Sequence, residues 1–288
     1  MRTVAIVGVG NMGGAMAAHL LAQGWAVRVH DIDRGKVEVL EALGAIACDD
    51  PAEAAQGAPA LIVCVVDADQ SRDVLFGGDG AAQAMGAGSA VMLCPTIAPE
   101  DVEDIAAHLE EQGIATIDAP MSGGPARARD GSMSLMVACA EAVFEANREL
   151  VEALSRKVFR IGERVGDGAR TKLVNNLLAA INLVGAAEAM ALAGRFGLDL
   201  RTTLEVIEQS SGQSWIGSDR MRRAIEGDFA PRAHMTLLAK DTRLAIEAAA
   251  AAGFAGPLGS AARDVFARAV DAGLADLDDA AVIKLLAP

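Results

Sequence analysis

Three segments of the chain hold residue types whose spacing can do chemistry. The first is Gly8-Val9-Gly10-Asn11-Met12-Gly13, a GxGxxG string between the apolar run 4–7 and a helical pattern. Alone, that string is weak; between a strand and a helix it has a mechanism. The first glycine permits a tight turn, the second lets backbone approach a pyrophosphate, and the third lets the helix lie close to the strand. Phosphate oxygens then meet N–H groups at the helix N-terminus. Asp31 stands 18 residues beyond Gly13, at the end of the next apolar run. A carboxylate there accepts both ribose hydroxyls and repels a 2′-phosphate, which favours NAD over NADP; the nearby Arg34 pulls the other way.

The second segment is Asp118-Ala119-Pro120-Met121-Ser122-Gly123-Gly124. A strand ends, a proline and two glycines bare the backbone, and a hydroxyl is offered. Ser122, Gly123 and Gly124 can together anchor a carboxylate, though an ordinary glycine turn reads equally well from the residues alone. The third segment is Gly166-Asp167-Gly168-Ala169-Arg170-Thr171-Lys172-Leu173-Val174-Asn175-Asn176. Lys172, Asn175 and Asn176 lie at i, i+3 and i+4, so one helical face is expected to gather an ammonium and two amides. A lysine in the first helical turn sits against the positive end of the helix dipole, and burial adds to that effect. Both ease loss of its proton and suit it to act as general acid or base. Asparagines inside an apolar helix argue against a merely solvated face, because buried amides need partners.

The elements that must position these residues change character along the chain. Strands are expected at 4–7, 26–30, 61–66, 90–93, 116–118 and 135–138, with helices at 12–23, 36–43, near 81–85 and at 99–112. This rhythm predicts a doubly wound α/β domain of Rossmann type over 1–163. From 164 to 288 strand signals stop. A pattern of about 28 residues at 169–196, with Leu173, Leu177, Ile181, Val184 and Ala187 on one face, joins the two parts. Further helical patterns at 200–209, 214–226, 235–252, 260–272 and 278–286 make the second domain all-α.

Composition excludes several function classes. A formal charge of −14 opposes a nucleic-acid groove, and aromatics at 3% leave few platforms for stacking bases. The positive mean hydropathy, +0.30, comes from alanine-rich stretches broken by charged or small residues. No run approaches about 18 uninterrupted apolar residues, and the first apolar run is too short for a signal-peptide core, so no membrane contact and a cytoplasmic location are expected. Cys48, Cys64, Cys94 and Cys139 form no CxxC pair and read as free thiols of a reducing compartment. The four histidines do not cluster, and no metal is expected.

With these residues in place, the chain resembles the β-hydroxyacid dehydrogenase family, which includes 3-hydroxyisobutyrate, tartronate semialdehyde and 6-phosphogluconate enzymes. The matching motifs run in the family's order: GVGNMG, Pro95-Thr96-Ile97-Ala98-Pro99, DAPMSGG, GDGARTKLVNN and Lys240-Asp241. The likeness covers essentially the whole chain, which is too short for the 6-phosphogluconate branch. It implies that Lys172 is the catalytic acid/base and that Ser122, Gly123 and Gly124 hold the substrate carboxylate. It further implies that Asn175 or Asn176 orients the substrate oxygen. Gly8, Gly10, Asn11, Met12, Gly13, Asp31, Val65, Thr96 and Lys240 are then the expected NAD contacts. Gly212-Gln213-Ser214-Trp215, the 227–232 segment and the ending 278–284 are similar to L-threonate (tetronate) dehydrogenases. A departure at Arg127 and Arg129, where many hydroxyisobutyrate enzymes carry smaller residues, leaves the exact acid open between a tetronate and 3-hydroxyisobutyrate. Tartronate or succinic semialdehyde reduction stands as an alternative within the family.

Two readings from other classes compete. A non-catalytic NAD sensor would lose the lysine or the glycine pair, and this chain keeps both. A methyltransferase can use a Gly-rich first loop but has no need of Lys172 and its asparagines. A helix of about 40 Å is hard to cover within one chain of this size, so helical packing between subunits is expected, and the resemblance implies a homodimer or homotetramer.

Overall fold

The computed structural model describes residues 2–286. Its contacts form two compact units, residues 1–172 and 173–288. The first holds one sheet of nine strands: β1 (Thr3–Val7), β2 (Ala26–His30), β3 (Ile46–Ala47), β4 (Ala60–Val63), β5 (Ala90–Leu93), β6 (Ala115–Asp118), β7 (Met121–Ser122), β8 (Ser134–Ala138) and β9 (Lys157–Gly162). Six of them lie in the order β3-β2-β1-β4-β5-β6, every neighbour parallel. β8 then runs antiparallel to β6 and β7 and parallel to β9.

Parallel strands need crossover segments, and these cover both faces of the sheet. The crossovers and flanks supply α1 (Asn11–Ala22), α2 (Arg34–Glu41), α3 (Pro51–Ala55), α4 (Ala68–Phe76), α5 (Pro99–Glu110), α6 (Gly124–Arg129) and α7 (Glu141–Leu154). Strand side chains alternate between the faces. Val4, Ile6, Ile62 and Met92 enter one apolar cluster with Met16 and Leu20 of α1. Ala5, Val7, Leu61, Val63, Val91 and Leu93 enter the other, with Ile105 and Leu109 of α5. Truncating a side chain such as Ile6, which is fully buried, costs about 2–5 kcal/mol. The strand order reverses between β1 and β4, and in open α/β sheets ligands bind at the carboxyl ends beside that reversal.

α8 (Asp167–Arg195) starts in the first unit and continues into the second. There it is joined by α9 (Leu200–Glu208), α10 (Trp215–Ile225), α11 (Met235–Ala251) and α12 (Pro257–Ala269), and by 3₁₀ turns over Asp279–Leu285. Their core gathers Ala180, Leu183, Ala187 and Met190 around Met221, Met235 and Phe266. The buried line of α8 steps by three and four, from Leu173 through Asn176, Ala180, Leu183 and Ala187 to Met190. The stripe expected from the sequence holds at Leu173 and Ala187, whereas Leu177, Ile181 and Val184 are only half-buried. By length and composition α8 is apolar enough to cross a membrane, and one third of its most apolar stretch is buried. Near the chain's end, Asp278 accepts from Arg223 Nη2 and from the Arg232 N–H, both at 2.8 Å. Burial pushes the Asp278 carboxyl up, but these donors outweigh it and hold it at about 2.

The fold class agrees with the sequence reading, and several elements do not. The strand expected at 61–66 stops at Val63, where Gln70 Oε1 accepts the Val66 N–H and the chain turns away from the sheet. The segment near 81–85 is a single 3₁₀ turn, and 279–285 is likewise 3₁₀ rather than α. β3, β7 and β9 and the helices α3, α4, α6 and α7 were not foreseen.

Candidate active site

The phosphate loop is built by three close approaches of backbone. Gly8 leaves β1 with φ +88°, and a Cβ there would stand 2.7 Å from the Cys64 carbonyl oxygen. A Cβ on Gly13 would lie 1.9 Å from the Gly8 carbonyl oxygen, so α1 packs on β1 as tightly as bare backbone allows. At Gly10 the same Cβ would meet nothing within 4 Å. Gly10 is the N-cap of α1, no side chain caps that end, and no carboxylate stands in the first turn. A helix start with a glycine-bared surface and no acid of its own fits a pyrophosphate. Asn11 and Met12 begin the helix at that point.

Asp31 follows β2. Its Oδ2 accepts the Val9 N–H at 2.8 Å and its Oδ1 accepts the Asp33 N–H at 2.9 Å. The carboxylate therefore pins the loop while each oxygen keeps capacity for another donor, as a ribose diol requires. Lys36 Nζ stands 3.7 Å from Oδ1, and Arg34 reaches Asp49 at 3.6 Å. Val65 follows β4 and Thr96 follows β5, both half-buried. A Cβ on Gly8 would come within 3.0 Å of Val65 Cγ1, which places Val65 beside the loop. These residues thus share the carboxyl edge of β1, β2, β4 and β5.

The second and third segments meet within the first unit. β7 carries Met121 and Ser122, paired with Leu135 and Ser134 of β8. Gly123 turns with φ +129°, and the Arg127 side chain crosses it so closely that a Cβ would stand 2.8 Å from Arg127 Cδ. Lys172 is 9% exposed, and its Nζ donates to the Met121 carbonyl oxygen at 2.6 Å. The ammonium is therefore held at the residue next to Ser122. Lys172 is the sixth residue of α8, in the second turn rather than the first. The dipole field fades within one turn, so burial, more than the helix end, sets its environment.

The start of α8 is itself tied to β6. Asp118, the last residue of β6 and 1% exposed, accepts the N–H groups of Gly166 at 2.9 Å and Ala169 at 3.1 Å through Oδ2. Burial pushes its carboxyl up to about 6, against the pull of those amides. The sequence reading gave Asp118 no role of its own. Burial likewise pushes the Cys64 thiol up to about 12 and Cys94 well above its ordinary value, so neither supplies a thiolate.

The second unit holds the remaining residues. Asn176 is buried and donates Nδ2 to Asp241 Oδ2 at 2.6 Å, while its Oδ1 accepts from Asn175 Nδ2 at 2.9 Å. Asn175 is exposed, so the two amides do not share a buried face as the spacing suggested. Lys240 Nζ pairs with Asp241 Oδ1 at 3.0 Å. Asp241 thus touches two of the expected site residues. The signal that could have found it was a buried asparagine in an apolar helix, which requires a polar partner.

Comparison with known proteins finds matches to both parts of the chain. The family model described as the NAD binding domain of 6-phosphogluconate dehydrogenase matches residues 3–162. The model described as NAD-binding of NADP-dependent 3-hydroxyisobutyrate dehydrogenase matches residues 166–286. The L-threonate dehydrogenase of Escherichia coli (strain K12) is 38% identical over 283 residues, 98% of this chain and 94% of that protein. The NAD-dependent L-serine dehydrogenase of Pseudomonas aeruginosa is 34% identical over 299 residues, 100% of this chain and 99% of that one. A crystal structure of 3-hydroxyisobutyrate dehydrogenase from Salmonella typhimurium superposes with a TM-score of 0.94 at 38% identity, covering 99% of this chain and 100% of that chain.

Proposed function

The chain belongs to the 3-hydroxyisobutyrate dehydrogenase-like family, and from that premise we propose that it oxidises a small hydroxy acid at its CH–OH carbon, Lys172 moving the proton. It is a hydroxyacid dehydrogenase that works with a nicotinamide dinucleotide. The residues 1–163 hold that cofactor: Gly8, Gly10, Asn11, Met12 and Gly13 at the pyrophosphate, Asp31 at the ribose, Val65 and Thr96 further along the strand ends. From residues 164–288 the family resemblance assigns Lys240 to the cofactor and Asn175 and Asn176 to the substrate. Asp31 carries the preference for NAD, since a 2′-phosphate would meet its carboxylate. Bound NAD supplies the hydride acceptor.

The single observation behind this reading is the buried lysine held beside Ser122 by the Met121 carbonyl. Ser122, Gly123 and Gly124 hold the substrate carboxylate and the hydroxyl lies at Lys172 Nζ; in oxidation Lys172 acts as the neutral amine, taking the hydroxyl proton to become the ammonium as hydride leaves carbon for NAD and the carbonyl forms. In reduction it returns that proton to the carbonyl oxygen. The family resemblance assigns Asn175 or Asn176 to the substrate oxygen, and Asp241 fixes the Asn176 amide. L-Threonate or a related tetronate is the proposed substrate, with 3-hydroxyisobutyrate next. We place the enzyme in the cytoplasm, and exposed Val174, Leu178 and Leu192 on α8, continued by Phe196 and Leu198, support assembly of a homodimer or homotetramer through that helix.

The test is NAD reduction by wild type and Lys172→Ala against L-threonate, D-threonate, erythronate, 3-hydroxyisobutyrate, glycerate and 4-hydroxybutyrate. Lys172→Ala is expected to lose about 10²–10⁴ in kcat while still quenching tryptophan fluorescence on NADH addition. Near-normal turnover in that variant would remove the lysine from the mechanism.

A further inference from the structure

The GDG run at the start of the long helix and the aspartate that opens DAPMSGG have no part in the chemistry described so far, yet they meet. Asp118 ends β6 with its Cα in register with Leu93 and Ala138, deep in the sheet. Its Oδ2 accepts two N–H groups at the start of α8, that of Gly166 just before the helix and that of Ala169 in its first turn. Both glycines of the run are demanded by this contact or lie next to it. A Cβ on Gly168 would fall 2.9 Å from Asp118 Oδ1 and 2.8 Å from the Met136 carbonyl oxygen. Gly166 has φ +96°, and a Cβ there would stand 2.8 Å from Arg170 Nη1. The bare backbone at Gly166 and Gly168 therefore lets a buried carboxylate close onto the helix start.

The same stretch of chain reaches α8 a second time. Three residues after Asp118, the Met121 carbonyl oxygen accepts from Lys172 Nζ at 2.6 Å. One strand end thus grips α8 at its first turn through a side chain, and at the reactive ammonium through a main-chain carbonyl. Two grips separated by one turn of helix leave α8 neither free to slide nor free to rotate relative to Ser122.

We propose that Asp118 is a positioning residue for Lys172: its carboxylate fixes the first turn of α8 and so sets where Nζ stands relative to the 121–124 turn. The inference rests on the reading of Lys172 as acid/base. A displacement of about 1 Å in a reacting group removes about 100-fold in rate.

The experiment uses the full chain with saturating NAD and whichever acid of the panel above the wild type turns over best, comparing wild type, Lys172→Ala, Asp118→Ala, Asp118→Asn and Gly168→Ala. For each folded variant, kcat, KM, NADH affinity by fluorescence quenching and melting temperature are measured. Asp118→Ala is expected to lose about 100-fold in kcat with NADH affinity within about twofold. Asp118→Asn, whose amide oxygen still accepts from Gly166 and Ala169, is expected to recover most of that loss. Gly168→Ala pushes the carboxylate off the helix start while leaving Asp118 in place, and is expected to behave like Asp118→Ala; it carries the test if Asp118→Ala does not fold. A kcat within about threefold of wild type in Asp118→Ala or in Gly168→Ala, beside an inactive Lys172→Ala, overturns the positioning role alone. So does a lowered melting temperature with kcat unchanged. Full turnover by Lys172→Ala, or no turnover by wild type of any acid in that panel, overturns the reading on which it rests and the inference with it.

Discussion

Asp118→Asn removes one titrating group and little volume, so the stability difference between wild type and this variant isolates the proton linkage of a single carboxyl. Burial pushes Asp118 from 3.8 up to about 6. The N–H groups of Ala169, Gly166 and Gly168 pull it down, and the Asp167 carboxylate on α8 adds to the rise. Two further titratable groups lie near, the Cys94 and Cys139 thiols, which burial keeps protonated. A carboxyl whose folded-state pKa lies above its unfolded value holds its proton more tightly when folded. Its contribution to stability is therefore complete below the unfolded pKa and is lost as pH rises to about 6. Between about pH 5 and about pH 7.5 the loss is about 1.4 kcal/mol, a tenfold change in the folding constant. The assay is urea unfolding of both proteins across that range, above the sequence pI of 4.7. The wild type should lose ground to the asparagine variant as pH rises. A difference that is flat, or that grows in favour of the wild type, would mean that the amides of α8 outweigh burial and that the carboxylate is ionised throughout.

Other substitutions test other parts of the structure. Gly13→Ala would force a methyl to within 1.9 Å of the Gly8 carbonyl oxygen, so α1 must lift from β1; NADH affinity should fall at least about tenfold, and an unchanged fluorescence titration would refute the close-approach account. Asp31→Ala should shift the kcat/KM ratio toward NADP by about tenfold, and an unchanged ratio would remove its ribose role. Arg223→Met removes the nearer guanidinium from the buried Asp278, whose Oδ1 keeps Arg220 Nε at 3.8 Å, and should lower stability by about 3–5 kcal/mol, read by denaturant unfolding; a loss below about 1 kcal/mol would show that Arg220 and the Arg232 and Ala280 amides suffice.

How much was legible in the sequence follows from the range of the interactions. The loop and its strand were readable because glycine spacing, the apolar run and the helix start all lie within about twenty residues. β9 escaped because an edge strand with half-exposed positions carries no clean alternation, and Lys157, Arg160 and Phe159 blur what there is. α7 carried its signal openly in Phe144, Val151 and Leu154, buried at helical spacing, and a finer reading of periodicity would have found it. α4 has only Ser71 and Leu75 buried, too few for a stripe, although Asp67 caps it. Lys172 was found by its neighbours, but the helix starts two residues earlier than expected, which moved it out of the first turn. Asp241 was invisible as a partner of Asn176 because 65 residues separate them, and only tertiary packing makes the contact.

The charge of −14 and the anionic ligands of the site are reconciled by where the acids stand. Several helices of the first unit begin with a carboxylate in the first turn: Glu53 in α3, Asp69 in α4, Glu100 and Asp101 in α5, Glu141 in α7. There each acid stabilises its own helix by meeting the positive end of the dipole. α1 has none, and no side chain caps it; the same holds of the short α6 that follows Ser122 and Gly123. The stability of α1 is lower for that, by roughly the 1 kcal/mol that a cap contributes. An acid there would compete with a pyrophosphate for the same N–H groups and repel it as well. Net charge sets solubility and long-range steering, while binding is decided over a few ångströms. The acidic composition is thus no obstacle to an anion site, because negative charge is spent on the helix starts that need a cap and withheld from the one that faces the cofactor loop.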